Sequence, residues 1–164
     1  MQGRFWRLVP LSEVGSDEGL RTADRRVEAA RKEHERGGHP AFPGYPRPHP
    51  TWHAIRNHLG ITAFGVAATE AARGEALIWP HTEEHYGQEE VYLVLTGRAR
   101  FLFEDDGEVD VSAHELLYVR PEVGRGAIAL DTPTVVFIVG GKPGSYEPPV
   151  WANDWRPPGA GLDS

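Results

Sequence analysis

The chain contains no cysteine and a single methionine among its 164 residues. Without thiols there is no disulfide framework and no thiolate metal site, so any transition metal has to be held by imidazole and carboxylate. Long apolar runs are missing too. Nowhere do about eighteen apolar residues follow one another, the length that spans a bilayer. Residues 1–20 break up their apolar positions with Arg4, Arg7, Glu13, Asp17 and Glu18, leaving no apolar stretch of the kind a secretion signal needs. A soluble, cytoplasmic protein with no membrane partner is the expectation. Positive charge is also short: 17 Lys and Arg stand against 24 Asp and Glu, for a net charge of −7. That balance disfavours a nucleic-acid partner, because phosphate binding needs a basic face that releases counterions.

The length suits one domain with extensions. Residues Arg4–Val9 read as a short strand. From Asp17 to Glu35, Leu20, Ala23, Val27 and Ala30 recur at helical spacing among interleaved charges, predicting an amphipathic helix that Gly37-Gly38 stops. The proline-rich run His39–Pro50 excludes helix and central strand alike and reads as an extended connector pinned by Phe42 and Tyr45. Short β-forming segments with turn signals follow at Ile61–Ala68, Glu75–Trp79, Glu90–Leu95, Ala99–Glu104, Glu108–Val111, Leu116–Val119, Ala127–Leu130 and Thr134–Val139. Asp105-Asp-Gly107 marks a hairpin between two of them. Many short strands predict an antiparallel sandwich or barrel. The tail from Tyr146 to Ser164 carries Trp151 and Trp155 among prolines, which suggests docking on the barrel or on a dimer mate.

The densest cluster of metal-capable side chains is His81-Thr-Glu-Glu-His85-Tyr-Gly-Gln-Glu-Glu90, which runs into the strand Val91–Leu95 and closes on Gly97. It resembles the first motif of the cupin superfamily, a His-x-His pair followed by Glu and then Gly. His85, Glu90 and Gly97 fall on the last three marks, and Glu83 stands on the first. In Val119-Arg-Pro-Glu-Val-Gly-Arg125, Arg125 occupies the histidine position of the second motif. The resemblance implies an all-β double-stranded β-helix, or jelly-roll, barrel over residues 55–142. Residues 1–54 would pack on it as strand, helix and connector, and 143–164 would form the tail. It also implies a homodimer.

Strand alternation predicts that His81, Glu83 and His85 share a face with Leu77 and Trp79, and that Glu90, Tyr92 and Val94 share a face of the next strand. If both faces line the lumen, His85 and Glu90 converge with Glu83 as third donor and His81 as a spare imidazole. Such a set suits Fe, Mn, Ni or Zn. Arg125 brings a permanent cation to the fourth position, which works against a metal but suits a ligand carboxylate or phosphate. Three readings stay open. One is a small-molecule-binding protein with a degenerate metal site and no metal, in which Arg125 anchors an acidic ligand and Trp79, Tyr92, Phe101 and Phe103 shape an apolar pocket. Another is a metal-dependent enzyme using His85, Glu90 and Glu83 or His81. The third is a metal-free enzyme with Glu90 or His85 as general base. Beside all three stands a plain structural role for Arg125 and Glu90 as a buried ion pair. His49, His53 and His58 read as surface residues, and His114 as a turn residue.

Overall fold

The computed structural model describes residues 9–14, 50–105 and 107–147. The helix expected over 17–35, nearly all of the N-terminal strand and the connector, and the tail past Glu147 lie outside the described residues. Leu11–Glu13 form a single 3-10 turn. The remaining elements are β1 (Thr51–His53), α1 (Ile55–Leu59), β2 (Gly65–Ala71), β3 (Ala76–His81), β4 (Glu89–Thr96), β5 (Arg98–Phe103), β6 (Glu108–Ser112), β7 (Leu116–Val119), β8 (Arg125–Ala129) and β9 (Thr134–Gly141). All eight expected strands are present, Leu116–Val119 with the same ends and the other seven with shifted ones. β1 and α1 are additions, and β1 takes His53 out of the irregular surface setting expected for it into a buried strand position.

The strands form two antiparallel sheets, ordered β1-β2-β9-β4-β7 and β3-β8-β5-β6. Alternation decides what lies between them. Tyr92 and Val94 of β4, Ala99 and Phe101 of β5, Ala127 and Ala129 of β8, and Val136 and Ile138 of β9 meet in one core with Leu77, Ile78, Val111 and Val119. Each large side chain fully buried there stabilises the fold by about 1.5–3 kcal/mol relative to leaving it in water.

Gly97 joins β4 to β5 with φ +72°. A Cβ there would stand 2.8 Å from the Pro133 carbonyl oxygen and 2.8 Å from Thr134 Oγ1, a buried hydroxyl that itself donates to the Arg98 carbonyl. Left-handed strain and overpacking therefore add. Gly97→Ala is expected to lower stability by roughly 2–4 kcal/mol in urea denaturation. A loss below about 0.5 kcal/mol, the scale of an ordinary surface change, would contradict this.

β3 departs from simple alternation. Ala76 pairs with Ile128, Ile78 with Ala127 and His81 with Arg125, with a register shift in each interval. The first shift sends both Leu77 and Ile78 into the core. Trp79 turns outward instead and packs with Ala76, Leu102 and Ile128. The second shift brings His81 back inside. β3 is a sheet edge, where bulges and a strand proline such as Pro80 are tolerated.

Candidate functional site

Two rows of side chains face each other across one mouth of the barrel. On the four-stranded sheet, His81, Arg125 and Phe103 lie side by side in register on β3, β8 and β5. On the five-stranded sheet, Val119, Glu90, Gly140 and Gly65 lie side by side on β7, β4, β9 and β2. A Cβ on Gly140 would come 3.4 Å from Glu90 Cγ, so the glycine leaves room for the Glu90 side chain.

Arg125 has no solvent exposure. Its Nη2 donates to Glu90 Oε2 at 2.5 Å, its Nε to the Tyr92 hydroxyl at 3.1 Å and its Nη1 to the Val123 carbonyl at 3.2 Å. Tyr92 in turn donates to the same Glu90 oxygen. The guanidinium is thus engaged along its whole fork by groups of its own barrel.

Glu83 follows β3 in a tight turn. Its backbone N–H donates to the Pro121 carbonyl at 2.9 Å, and its own carbonyl accepts the N–H groups of Tyr86 and Gly87. These bonds aim the carboxylate back at the lumen, where Gln88 Nε2 donates to Glu83 Oε2 at 3.2 Å. His81 Nε2 stands 3.7 Å from Glu83 Oε1 and 3.7 Å from Glu90 Oε2. Donor atoms of His81, Glu83 and Glu90 all lie within 4.8 Å of one another.

The chemistry of this set fits a divalent transition metal. His81 Nδ1 lies 2.5 Å from the Trp79 carbonyl oxygen, which can only accept, so Nδ1 donates there and Nε2 is left facing Glu83 and Glu90. Metal-binding histidines generally hold their second nitrogen in this way. Glu90 Oε1 accepts no hydrogen bond among the described residues, whereas Oε2 is engaged by Arg125 and Tyr92. His81 Nε2 and one oxygen each of Glu83 and Glu90 are the groups that would hold an ion, and the Glu90 oxygen 3.7 Å from His81 Nε2 is Oε2, which already accepts from Arg125 and Tyr92. Arg125 opposes that ion's charge.

The two carboxyls are driven apart in acidity. Burial and the charge of Glu90 push Glu83 up, against weaker opposing pulls from His81, Arg125 and Gln88. Burial would also raise Glu90, but His81, Tyr92 and Arg125 overcome it and hold that carboxyl at about 2. Because Glu90 is depressed from about 4.5 in the unfolded chain, its stabilisation is complete above that value and is lost as pH falls through about 2. The amount is on the order of 3 kcal/mol. Glu83 acts oppositely: its proton is held more tightly in the fold, so its contribution declines as pH rises through its raised pKa. Urea denaturation at a series of pH values should show a falling acid limb that flattens in Glu90→Gln. An unchanged limb in that variant would remove Glu90 as its source.

Among the residues singled out from the sequence, Glu90, Glu83, His81 and Arg125 come together here. His85 does not. The strand ends at His81, and His85 lies exposed in the following turn, edge-on to the Tyr86 ring at 5.0 Å and outside the donor group. Tyr92 and Phe101 have no exposure and pack against each other at 5.1 Å, so they are core, with the Tyr92 hydroxyl serving the Glu90–Arg125 pair. Phe103 packs partly buried on that core, and Trp79 faces away from the lumen. His114 is exposed in a turn at φ +72°. Gln88 and the Pro121 carbonyl, which position Glu83, carry no signal in the strand pattern.

No protein-family model matches the chain, and no curated protein matches it in sequence. Solved structures match its fold. A cupin protein from Bacteroides fragilis superposes with a TM-score of 0.53 at 17% identity, over 70% of this chain and 98% of its own. A conserved protein with a double-stranded β-helix domain from Klebsiella pneumoniae gives 0.50 at 18% identity, over 62% and 87%. KdgF from a Halomonas species is 17% identical, over 47% of this chain and 66% of its own length, at a TM-score of 0.42, too slight a likeness to build on. The chain has the cupin fold, a β-barrel of two antiparallel sheets. Among the described residues no helix is long and apolar enough to cross a membrane.

Proposed function

We propose that this cupin-fold chain binds a small acidic molecule through a divalent transition metal held by His81, Glu83 and Glu90. The observation that carries the reading is the convergence of three donors within 4.8 Å, with the imidazole already oriented through Nδ1. The metal supplies Lewis acidity and open coordination positions for a carboxylate or similar group. The chain's own residues supply the rest. Arg125 fixes Glu90 and balances one of the two carboxylate charges, Gln88 holds Glu83, and Tyr92 closes the base of the site.

Arg125 is not the anchor in this reading, since its donors are turned to Glu90, Tyr92 and Val123 and it has no exposed surface. A second reading has support from the same burial: Glu90, Tyr92 and Arg125 form a strut that maintains the barrel, with no ligand at all. Calorimetric titration with a panel of small hydroxy and dicarboxylic acids separates these. Binding is expected only after addition of Mn(II), Ni(II) or Zn(II). Equal binding to metal-free protein would return the anchor to Arg125, and no binding in either state would favour the strut.

A further inference from the structure

Outside the barrel, at the end of the five-stranded sheet nearest Glu90, lies a groove of about 270 Å³. Val91 and Val139, paired in register, form its floor, and Phe64, Glu89, Lys142 and Tyr146 stand around it. Phe64 is 45% exposed and Tyr146 is 74% exposed. We propose that this groove is the docking site of the chain's own C-terminal segment, residues 148–164, with the Trp151 indole seated over Val91 and Val139.

Size is the first reason. The volume falls below the roughly 300–1,000 Å³ of small-molecule sites and suits one large side chain. Position is the second. Tyr146 is itself part of the groove wall, so the 17 residues from 148 to 164 leave the described fold at this groove. Five extended residues from Tyr146 to Trp151 reach about 16 Å, more than three strand spacings of about 4.8 Å, so the indole can be laid over either valine. Pro148-Pro149 favour the extended conformation that makes this reach. So short a tether also holds the segment at millimolar effective concentration, ahead of any free competitor. Chemistry is the third reason. An indole suits aromatic edges and an aliphatic floor, and the Lys142 ammonium on the rim suits the Asp154 carboxylate carried by the same segment.

Because the chain has no native cysteine, disulfide trapping in the full-length protein is clean. Ala63, on the groove rim, and Val150, next to the indole, are both replaced: Ala63→Cys and Val150→Cys. Mild oxidation is expected to give an intramolecular disulfide in the monomer, seen by intact mass and peptide mapping. Adding Trp151→Ala should slow its formation about tenfold, since one anchoring aromatic of ~1.4 kcal/mol is removed. Trapping at an unchanged rate without Trp151 would show tether proximity alone and overturn the proposal. Disulfide-linked dimers would assign the groove to the tail of a second copy, and absence of any disulfide would leave it without the tail, either of which also overturns it.

Discussion

Replacing Arg125 by methionine is expected to lower folding stability by about 3–5 kcal/mol, the usual consequence of removing one partner from a buried ion pair. The guanidinium has no exposure, and the Glu90 side chain keeps only 14% of its surface. Without the cation, a carboxylate now held at about 2 is left with the Tyr92 hydroxyl and a distant imidazole, and burial then works to protonate it. Removing both charges is a different matter. The double variant Arg125→Met with Glu90→Leu should recover most of the loss, since a well-packed apolar pair is often as stable as the ion pair it replaces. Urea denaturation of the wild type, both single variants and the double variant closes the cycle. Additive losses in the double variant would show that the two residues are not energetically coupled, despite the 2.5 Å contact.

The second large effect concerns metal. His81→Ala is expected to weaken divalent metal binding by roughly a hundredfold or more, because it removes one of the three donors that converge among the described residues. His85→Ala should leave binding within about twofold of wild type, because that imidazole stands exposed outside the donor group. Changes to groups that only orient ligands typically weaken metal binding 10–100-fold, so Gln88→Ala belongs at the lower end of that range. Affinity should also fall on acidification, since a proton on Glu83, whose pKa is raised, competes with the ion. Isothermal titration with Mn(II) and Zn(II) at two pH values reads all of this. The reverse order, with His85 essential and His81 dispensable, would reinstate the ligand set that strand alternation alone suggests.

That contrast shows where sequence reasoning reaches and where it stops. Positions on β4, β5, β8 and β9 were open to it because the one register shift there, between β4 and β9, falls beyond Val94: Glu90, Tyr92 and Val94 do share the inner face, and Arg125 does meet Glu90. β3 is the exception. Its two register shifts reverse the facing of Trp79 and restore that of His81, and no period-two pattern encodes a bulge. Pro80 was the available signal, since proline inside a strand points to an edge or an irregularity. The same break explains His85. The strand has already ended at His81, before the turn over residues 84–87 that holds His85, so residue spacing no longer measures facing. Of the aromatics offered as candidates for a pocket, Tyr92 and Phe101 lie in the core, and the strand pattern could not separate the two roles. Alternation tells which face a ring is on, but whether that face is packed or hollow depends on the opposite sheet, and here Tyr92 and Phe101 close on each other. β1 is three residues long, too short for any period to show, so His53 could not be separated from the connector before it.

The Glu83–Glu90 pair gives the site its character beyond donor count. One carboxyl is pushed up by burial and by its neighbour, while the other is held at about 2 by the groups clustered on it. In the common cupin pattern the position of Arg125 belongs to a fourth neutral donor. Here a fixed cation lies beneath Glu90, so a bound ion would be held by fewer protein groups and more loosely, leaving more of its coordination sphere to the ligand.

The most direct test of the account is elemental analysis by inductively coupled plasma mass spectrometry on untagged protein purified without chelator, run beside His81→Ala. Iron, manganese, nickel or zinc approaching one per chain is expected in the wild type, with a near-complete loss in the variant. Protein that carries no metal, and takes none up when offered it, would contradict the metal centre and leave Glu90, Tyr92 and Arg125 as a structural strut.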